Sequence, residues 1–153
     1  MINYKRTNSE NVDFRLLVSM LDADLTLREG DHYAFFAQFN RIDKIKHVVV
    51  AYFNGVAVGC GAIKEYSPSI MEVKRMFVSK QSRGKGIASG ILHELEEWAN
   101  ELNYEKCILE TGDKQPEAIA LYKKNQYKII PNYGQYEKVE SSTCFEKTLR
   151  RKD

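Results

Sequence analysis

Proline is scarce in this chain: three residues in 153, at positions 68, 116 and 131. No repeat, low-complexity tract or Pro/Gly/Ser-rich run marks a linker. The expectation is one domain over residues 1–153, long enough to bury roughly 70% of the surface its unfolded form exposes. Long apolar runs are also missing. None approaches the ~20 residues of a membrane span, and the opening MINYKRTNSE has no signal-peptide core. Cys60, Cys107 and Cys144 show no CxxC spacing, and each lies in an apolar or strand-like run. They read as buried free thiols, and a reducing, cytoplasmic setting is expected. His32, His47 and His93 are scattered without metal-ligand spacing, so no metal is expected. Charge of one sign is lacking too, since 23 Lys+Arg against 21 Asp+Glu leave a net +2. A dedicated nucleic-acid binder concentrates a larger basic excess, so neither nucleic acid nor membrane is expected as a partner.

What is present is a readable order of elements. Residues 2–6 suit a short strand. Over residues 12–29, Phe14, Leu17, Val18, Leu21 and Leu25 recur at helical spacing, and Gly30 is placed to end that helix. Residues 32–39 suggest a short aromatic-rich helix. Asn54-Gly55 between two β-rich runs is a hairpin signal. After the Ser67-Pro68-Ser69 turn, I-M-E-V-K-R-M-F-V reads as a third strand of that series. A clear helix follows from residue 87, with Ile87, Ile91, Leu95, Trp98 and Leu102 as its apolar stripe and His93, Glu94, Glu96 and Glu97 mostly off it. C-I-L-E-T reads as a strand and P-E-A-I-A-L-Y-K-K-N as a helix with Pro in its first turn. Strands at residues 127–130 and 144–148 complete an α/β pattern on a mixed sheet.

Between the third strand and the long helix stands Q-S-R-G-K-G-I-A. The first N–H groups of a helix lack intrahelical partners and favour negative charge, so a glycine-rich entry suits an anion. The pattern is not a nucleotide P-loop, which needs G-x-x-x-x-G-K-S/T. Nor is it a dinucleotide fingerprint, whose third glycine would fall at Ser89.

Gln81-x-x-Gly84-x-Gly86-Ile87-Ala88, following Met76-Phe77-Val78, resembles the acetyl-CoA signature of the GNAT N-acetyltransferase superfamily. The resemblance continues in Val58-Gly59-Cys60-Gly61-Ala62, Glu72 to Val78, Leu109-Glu110-Thr111-Gly112 and Ala118-Ile119-Ala120-Leu121-Tyr122. It is close over residues 45–130, and the element order covers the whole chain. It implies a GNAT fold: a mixed, mostly antiparallel central sheet flanked by helices, with a splay between the fourth and fifth strands. It implies acetyl-CoA as cosubstrate, its pyrophosphate held by amides around Arg83 to Ala88. Gln81 belongs to the signature, Arg83 and Lys85 would add charge near the phosphates, and Met76, Phe77 and Val78 would bond the pantetheine arm. Glycine at 84 and 86 would allow close approach and φ > 0.

Acetyl transfer to an amine needs a neutral amine, a stabilised carbonyl oxygen and a departing thiolate. An amine with a reference pKa of ~10.4 is almost fully protonated near neutrality, so a carboxylate base acting directly or through water helps. Glu72 and Glu110 flank the implied acetyl position. Glu72 is favoured, Glu110 is the other candidate, and a water chain without a dedicated base stays open. Both could instead be solvated or ion-paired, with Lys74 and Arg75 near Glu72 in sequence. The resemblance makes Tyr122 the acid that protonates the thiolate, and a backbone N–H near Phe77 or Val78 the oxyanion donor. An Asn frequent in the family after the splayed strand is not matched by Thr111-Gly112-Asp113-Lys114-Gln115. Asp22 and Asp24 read as a solvated helix face, although the family's helical pair walls the acceptor pocket. Tyr33, Phe35, Phe36 and Phe39 suit core more than pocket, and residues 131–136 a turn or an aromatic loop over the acceptor site.

The expected function is transfer of acetyl to a primary amine of a small molecule or peptide, by a monomer or homodimer. The alternative is a non-catalytic acyl-CoA-binding or sensing domain, against which Tyr122 and the two glutamates argue. A nucleic-acid module using Lys74, Arg75, Lys80, Arg83 and Lys85 is weakened by the near-neutral charge balance.

Overall fold

The computed structural model describes residues 1–29 and 44–150. Residues 32–39, read above as a short helix, and the aromatic residues within them lie outside the described residues, as does Gly30.

Strand β1 (Ile2–Thr7) leads into helix α1 (Val12–Glu29), followed by β2 (His47–Phe53), β3 (Val56–Ser67) and β4 (Ile70–Val78). A short 3-10 turn (Lys80–Ser82) precedes α2 (Ile87–Glu101), then β5 (Lys106–Gly112), α3 (Pro116–Lys124), β6 (Lys128–Ile130) and β7 (Ser142–Thr148). The sheet order is β1-β2-β3-β4-β5-β7-β6. Among the described residues, only the β4–β5 pair is parallel; the others are antiparallel. Among the described residues, no helix is long and apolar enough to cross a membrane.

Local chemistry sets the element ends. The Asn11 side chain accepts the Phe14 N–H at 2.9 Å, capping the first turn of α1. Asn54 (φ 49°) and Gly55 (φ 83°) are both left-handed, as the tight turn between β2 and β3 requires. Pro116 opens α3, where its missing N–H costs no helical bond.

The strands alternate between two cores. Phe14, Leu17, Val18 and Leu21 of α1 pack with Val48, Val50, Cys60, Ala62 and Phe77 on one face. Ile87, Ile91, Leu92, Leu95 and Ala99 of α2 pack with Val49, Ala51, Ile63, Met71, Val73 and Val78 on the other. Ile87, Ile91 and Leu95 of the stripe read in sequence are buried and Trp98 packs on the core, but the buried face is wider than that stripe. Leu102 is 40% exposed, while Leu92, Ala99 and Glu96 are buried. Glu96 tolerates burial because Tyr127 Oη and Lys147 Nζ donate to its two oxygens, at 2.9 and 2.8 Å. Cys60, Cys107 and Cys144 are buried free thiols. Burial pushes the Cys60 and Cys107 thiols up to about 12 and that of Cys144 up to about 11, so each stays protonated.

Two irregularities of β4 matter for function. Cys60 pairs with Phe77, but Ala62 pairs with Lys74, so β4 carries one residue more than β3 between these rungs. Arg75 takes left-handed geometry there, with φ 60°. The extra residue flips the side-chain parity, which lets Met71 and Val73 before the bulge and Met76 and Val78 after it meet the same core. Pairing of β4 with β5 then covers only Ile70↔Lys106, Met71↔Cys107 and Glu72↔Ile108. Beyond Glu72 the strands run on unpaired to Val78 and Gly112, which is the splay between the fourth and fifth strands.

Candidate functional site

Two clefts meet in this splay. The first, about 1210 Å³, follows the loop between β4 and α2. Met76, Phe77, Val78, Arg83, Gly84, Gly86, Ile87 and Ala88 line it, with Gln115, Ala118, Leu121 and Tyr122 opposite on the α3 side. Gly84 and Gly86 hold φ of 80° and 78°, the left-handed region that glycine adopts without strain. Gly86 caps α2 without any side-chain hydrogen bond. Among the described residues, none of the amides from Gly84 to Ser89 donates a hydrogen bond. A row of unfilled N–H groups at a helix N-terminus is a receptor for phosphate oxygens, so the residues present fit a coenzyme A pyrophosphate. The start of α2 is fixed against α3 by Asn125, whose Nδ2 donates to Ser89 Oγ at 3.1 Å and to the Leu121 carbonyl at 2.9 Å.

Three residues of the signature and its loop have surroundings of their own. Gln81 is exposed in the 3-10 turn and does not line the cleft. Lys85 is exposed, with Nζ 5.8 Å from the Phe53 ring centre. Arg83 borders the cleft but turns back toward the strand: Nε donates to the Val78 carbonyl at 2.9 Å, and the guanidinium lies 5.6 Å from the Phe77 ring centre. An Arg83 terminal nitrogen is 3.8 Å from Asp24 of α1. The guanidinium thus stays at the cleft edge, held to a strand-end carbonyl.

The second cleft, about 800 Å³ and open to solvent, lies where the sheet parts. Glu72, Lys74, Arg75 and Met76 from β4 line it, with Glu110 and Thr111 from β5, Gln115 and Tyr122 at α3, and Tyr136 from the segment before β7. Strand alternation puts Glu72, Lys74 and Glu110 on the face opposite the α2 core, whereas Tyr122 belongs to that core. Tyr122 nevertheless lines both clefts, as do Met76, Gln115, Ala118 and Leu21. The splay is the gap through which one side chain serves both faces.

Each polar group here has a defined setting. Tyr133 Oη donates to Glu72 Oε2 at 2.5 Å, and Lys74 Nζ lies 3.6 Å from Glu72 Oε1. Ser142 Oγ donates to Glu110 Oε2 at 2.6 Å. Burial raises the Tyr122 pKa, and the Glu110 carboxylate adds to the rise, so its hydroxyl keeps the proton at neutral and mildly alkaline pH. Tyr136 is raised by burial and then by Glu110 and Glu72. Burial lowers the Lys74 pKa, against the attraction of Glu72. Arg75 donates to Asp22 of α1 at 3.0 Å. Asp22 and Asp24, expected on a solvated helix face, both stand opposite arginines. Among the described residues, no group of three or more His, Cys, Asp or Glu side chains is placed to hold a metal ion.

Glu72, Glu110 and Tyr122, the candidates read from the sequence, all line the sheet cleft, and the structure adds neighbours to them. Gln115 lines both clefts from the position before α3, and Tyr133 and Tyr136 come from the segment that the sequence also allowed as an aromatic loop. Only the aromatic density of residues 131–136 signalled them.

A family model described as "Acetyltransferase (GNAT) family" matches residues 14–127. An IAA acetyltransferase of Azospirillum brasilense is 37% identical over 102 residues, 66% of this chain and 67% of that protein. The uncharacterized N-acetyltransferase YjgM of Escherichia coli is 37% identical over 76 residues, 48% of this chain and 46% of its own length. Among solved structures, a candidate acyl-CoA N-acyltransferase of Klebsiella pneumoniae superposes with a TM-score of 0.81 at 30% identity, covering 98% of this chain and 99% of the other. PaiA N-acetyltransferase of Thermoplasma acidophilum, solved with coenzyme A, shares the fold with a TM-score of 0.71 at 16% identity, over 97% and 99% of the two chains. With the splayed sheet, the amide-rich loop and the family match over most of its length, this chain belongs to the GNAT acetyltransferase family.

Proposed function

We propose that the chain is an acetyl-CoA-dependent N-acetyltransferase, working as one domain over residues 1–153 and acting on a primary amine by direct transfer. The observation that carries this reading is Tyr122, shared by both clefts at the splay. Acetyl-CoA supplies the thioester when bound along the loop cleft. Its pyrophosphate would meet the amides from Gly84 to Ala88, and its pantetheine arm the backbone of Met76 to Val78, where Arg83 must release the Val78 carbonyl if that group is used.

The amine would enter through the sheet cleft. Glu72, held by Tyr133, accepts a proton from the incoming ammonium, with Glu110 the second candidate across the splay. The free nitrogen forms the new C–N bond as the C–S bond breaks, and the proton that the acylated nitrogen then sheds replaces, through water, the one that Tyr122 gives up. A backbone N–H near Phe77 or Val78 receives the charge on the carbonyl oxygen. Tyr122 gives its proton to the thiolate, a role its protonated, buried hydroxyl supports.

The test is thiol release from acetyl-CoA across a panel of amines, with product identified by mass. Acetylated amine, formed by wild type and lost in Tyr122→Phe, is expected. Tight acetyl-CoA binding with no amine acetylated would favour a non-catalytic acyl-CoA-binding domain and overturn the reading.

A further inference from the structure

The acceptor cleft holds more positive charge than deprotonation of an amine requires. Lys74 and Arg75 are adjacent in β4, both line the cleft, and both side chains are only 7% exposed. Burying two neighbouring cations is costly unless anions meet them. Lys74 pairs with Glu72, 3.6 Å away. For Arg75 the observed partners answer only part of this. Arg75 has one acceptor among the described residues, Asp22, reached through one terminal nitrogen. Its Nε is buried and has no acceptor at all.

A guanidinium presents five donors in a planar fork, and a buried donor without a partner is the exception in folded proteins. The fork matches a carboxylate, which takes two parallel N–H bonds. Glu72 and Glu110 stand on the other side of the balance, suited to an ammonium group. The wall thus pairs two acids with two cations, a pattern complementary to a zwitterion.

We propose that the acceptor is an amine that also carries a carboxylate, as an amino acid does, and that Arg75, with Lys74 beside it, receives that carboxylate. This inference rests on the reading of the sheet cleft as the acceptor site. Arg75 is a specificity-determining residue in this scheme, and the bulge that gives it φ 60° is what brings its side chain into the cleft wall.

Paired acceptors test it: lysine against cadaverine, phenylalanine against phenethylamine and tyrosine against tyramine, each with acetyl-CoA and thiol detection. In wild type the carboxylate-bearing member of the best pair is expected to have the higher kcat/KM, by roughly 10- to 100-fold. Arg75→Gln should remove that preference, mainly through a raised KM for the carboxylate-bearing member. Arg75→Lys keeps the charge but loses the fork, and should retain part of the preference if the glutamine variant proves unstable. Asp22→Asn removes the ion pair and leaves the guanidinium, so the preference should survive. Equal or better use of the decarboxylated amines by wild type overturns the proposal while sparing N-acetyltransfer. Equal loss on both members in Arg75→Gln and Asp22→Asn assigns Arg75 to anchoring α1, and also overturns it. Calorimetric acetyl-CoA binding with no amine of either series acetylated removes the reading of the cleft itself, and the inference with it.

Discussion

The loop cleft and the sheet cleft are built by different means. Residues 76–88 form one wall of the first, facing α3, and what they offer is backbone: unfilled amides, two left-handed glycines and the parted end of a splayed strand. The second draws side chains from β4, β5, α3 and the segment before β7. Its groups are oriented by partners far along the chain, Glu72 by Tyr133 across 61 positions and Arg75 by Asp22 across 53. A site made of backbone can be written in one stretch of sequence. A site made of side chains exists only after the sheet has brought distant stretches together.

Among the residues that line both clefts, Tyr122 should give the largest effect. Tyr122→Phe removes one hydroxyl and keeps the ring that packs 5.8 Å from both Tyr127 and Phe145. Turnover should fall roughly 10²–10⁴-fold with acetyl-CoA affinity nearly unchanged. Single-turnover kinetics and calorimetry check the two halves of that statement. Unchanged chemistry would leave Tyr122 as packing and separate the clefts.

Gly86→Val attacks the loop cleft alone. A Cβ at Gly86 meets nothing within 4 Å, so the fold has room for it. The φ of 78° is what valine resists, and its branches would stand where the phosphates approach the amides. Acetyl-CoA affinity should drop by about 10²-fold, with the pH profile for the amine preserved. Calorimetry on folded variant showing wild-type affinity would detach the pyrophosphate from this loop.

The sheet cleft has its own test in the two glutamates. Glu72→Gln should lower kcat/KM for the amine by about 10-fold or more and weaken its rise with pH, while Glu110→Gln does less. Rescue of Glu72→Gln at high pH fits loss of a base, because the free amine then forms unaided. Profiles from about pH 6 to 9.5 read both. A wild-type profile for Glu72→Gln eliminates that residue, and a larger loss in Glu110→Gln reverses the assignment.

How far the sequence could be read follows the same division. Asn54-Gly55, Gly84-x-Gly86 and the Pro116 helix start were legible because each is a local backbone requirement. The α2 stripe was read too narrow because its buried face answers to the sheet, and Glu96 is acceptable there only through Tyr127 and Lys147. Asp22 and Asp24 carried no local sign of the arginines they face. The splay came with the family resemblance; composition and spacing alone do not distinguish a paired strand end from a parted one.

The smallest expected effect touches the boundary between the clefts. Gly61 stands opposite the β4 bulge, and a Cβ there would lie 2.5 Å from Met76 Sδ and 2.9 Å from both Ile91 Cγ2 and Leu95 Cδ1. Met76 Sδ and Leu95 Cδ1 belong to side chains that could turn aside alone, whereas Ile91 Cγ2 is fixed to a β-branched Cβ. All three must yield together in a closed core, so Gly61→Ala should destabilise the fold by about 1–3 kcal/mol. Met76 lines both clefts, so its displacement should weaken acetyl-CoA binding and slow amine acetylation in parallel, each less than the single-cleft variants do. Urea unfolding, calorimetry and thiol release on one preparation measure the three effects. Lost stability with only one function changed would show that the clefts are set independently of Met76. Unchanged stability would show that the core beneath the bulge has room the static packing does not display.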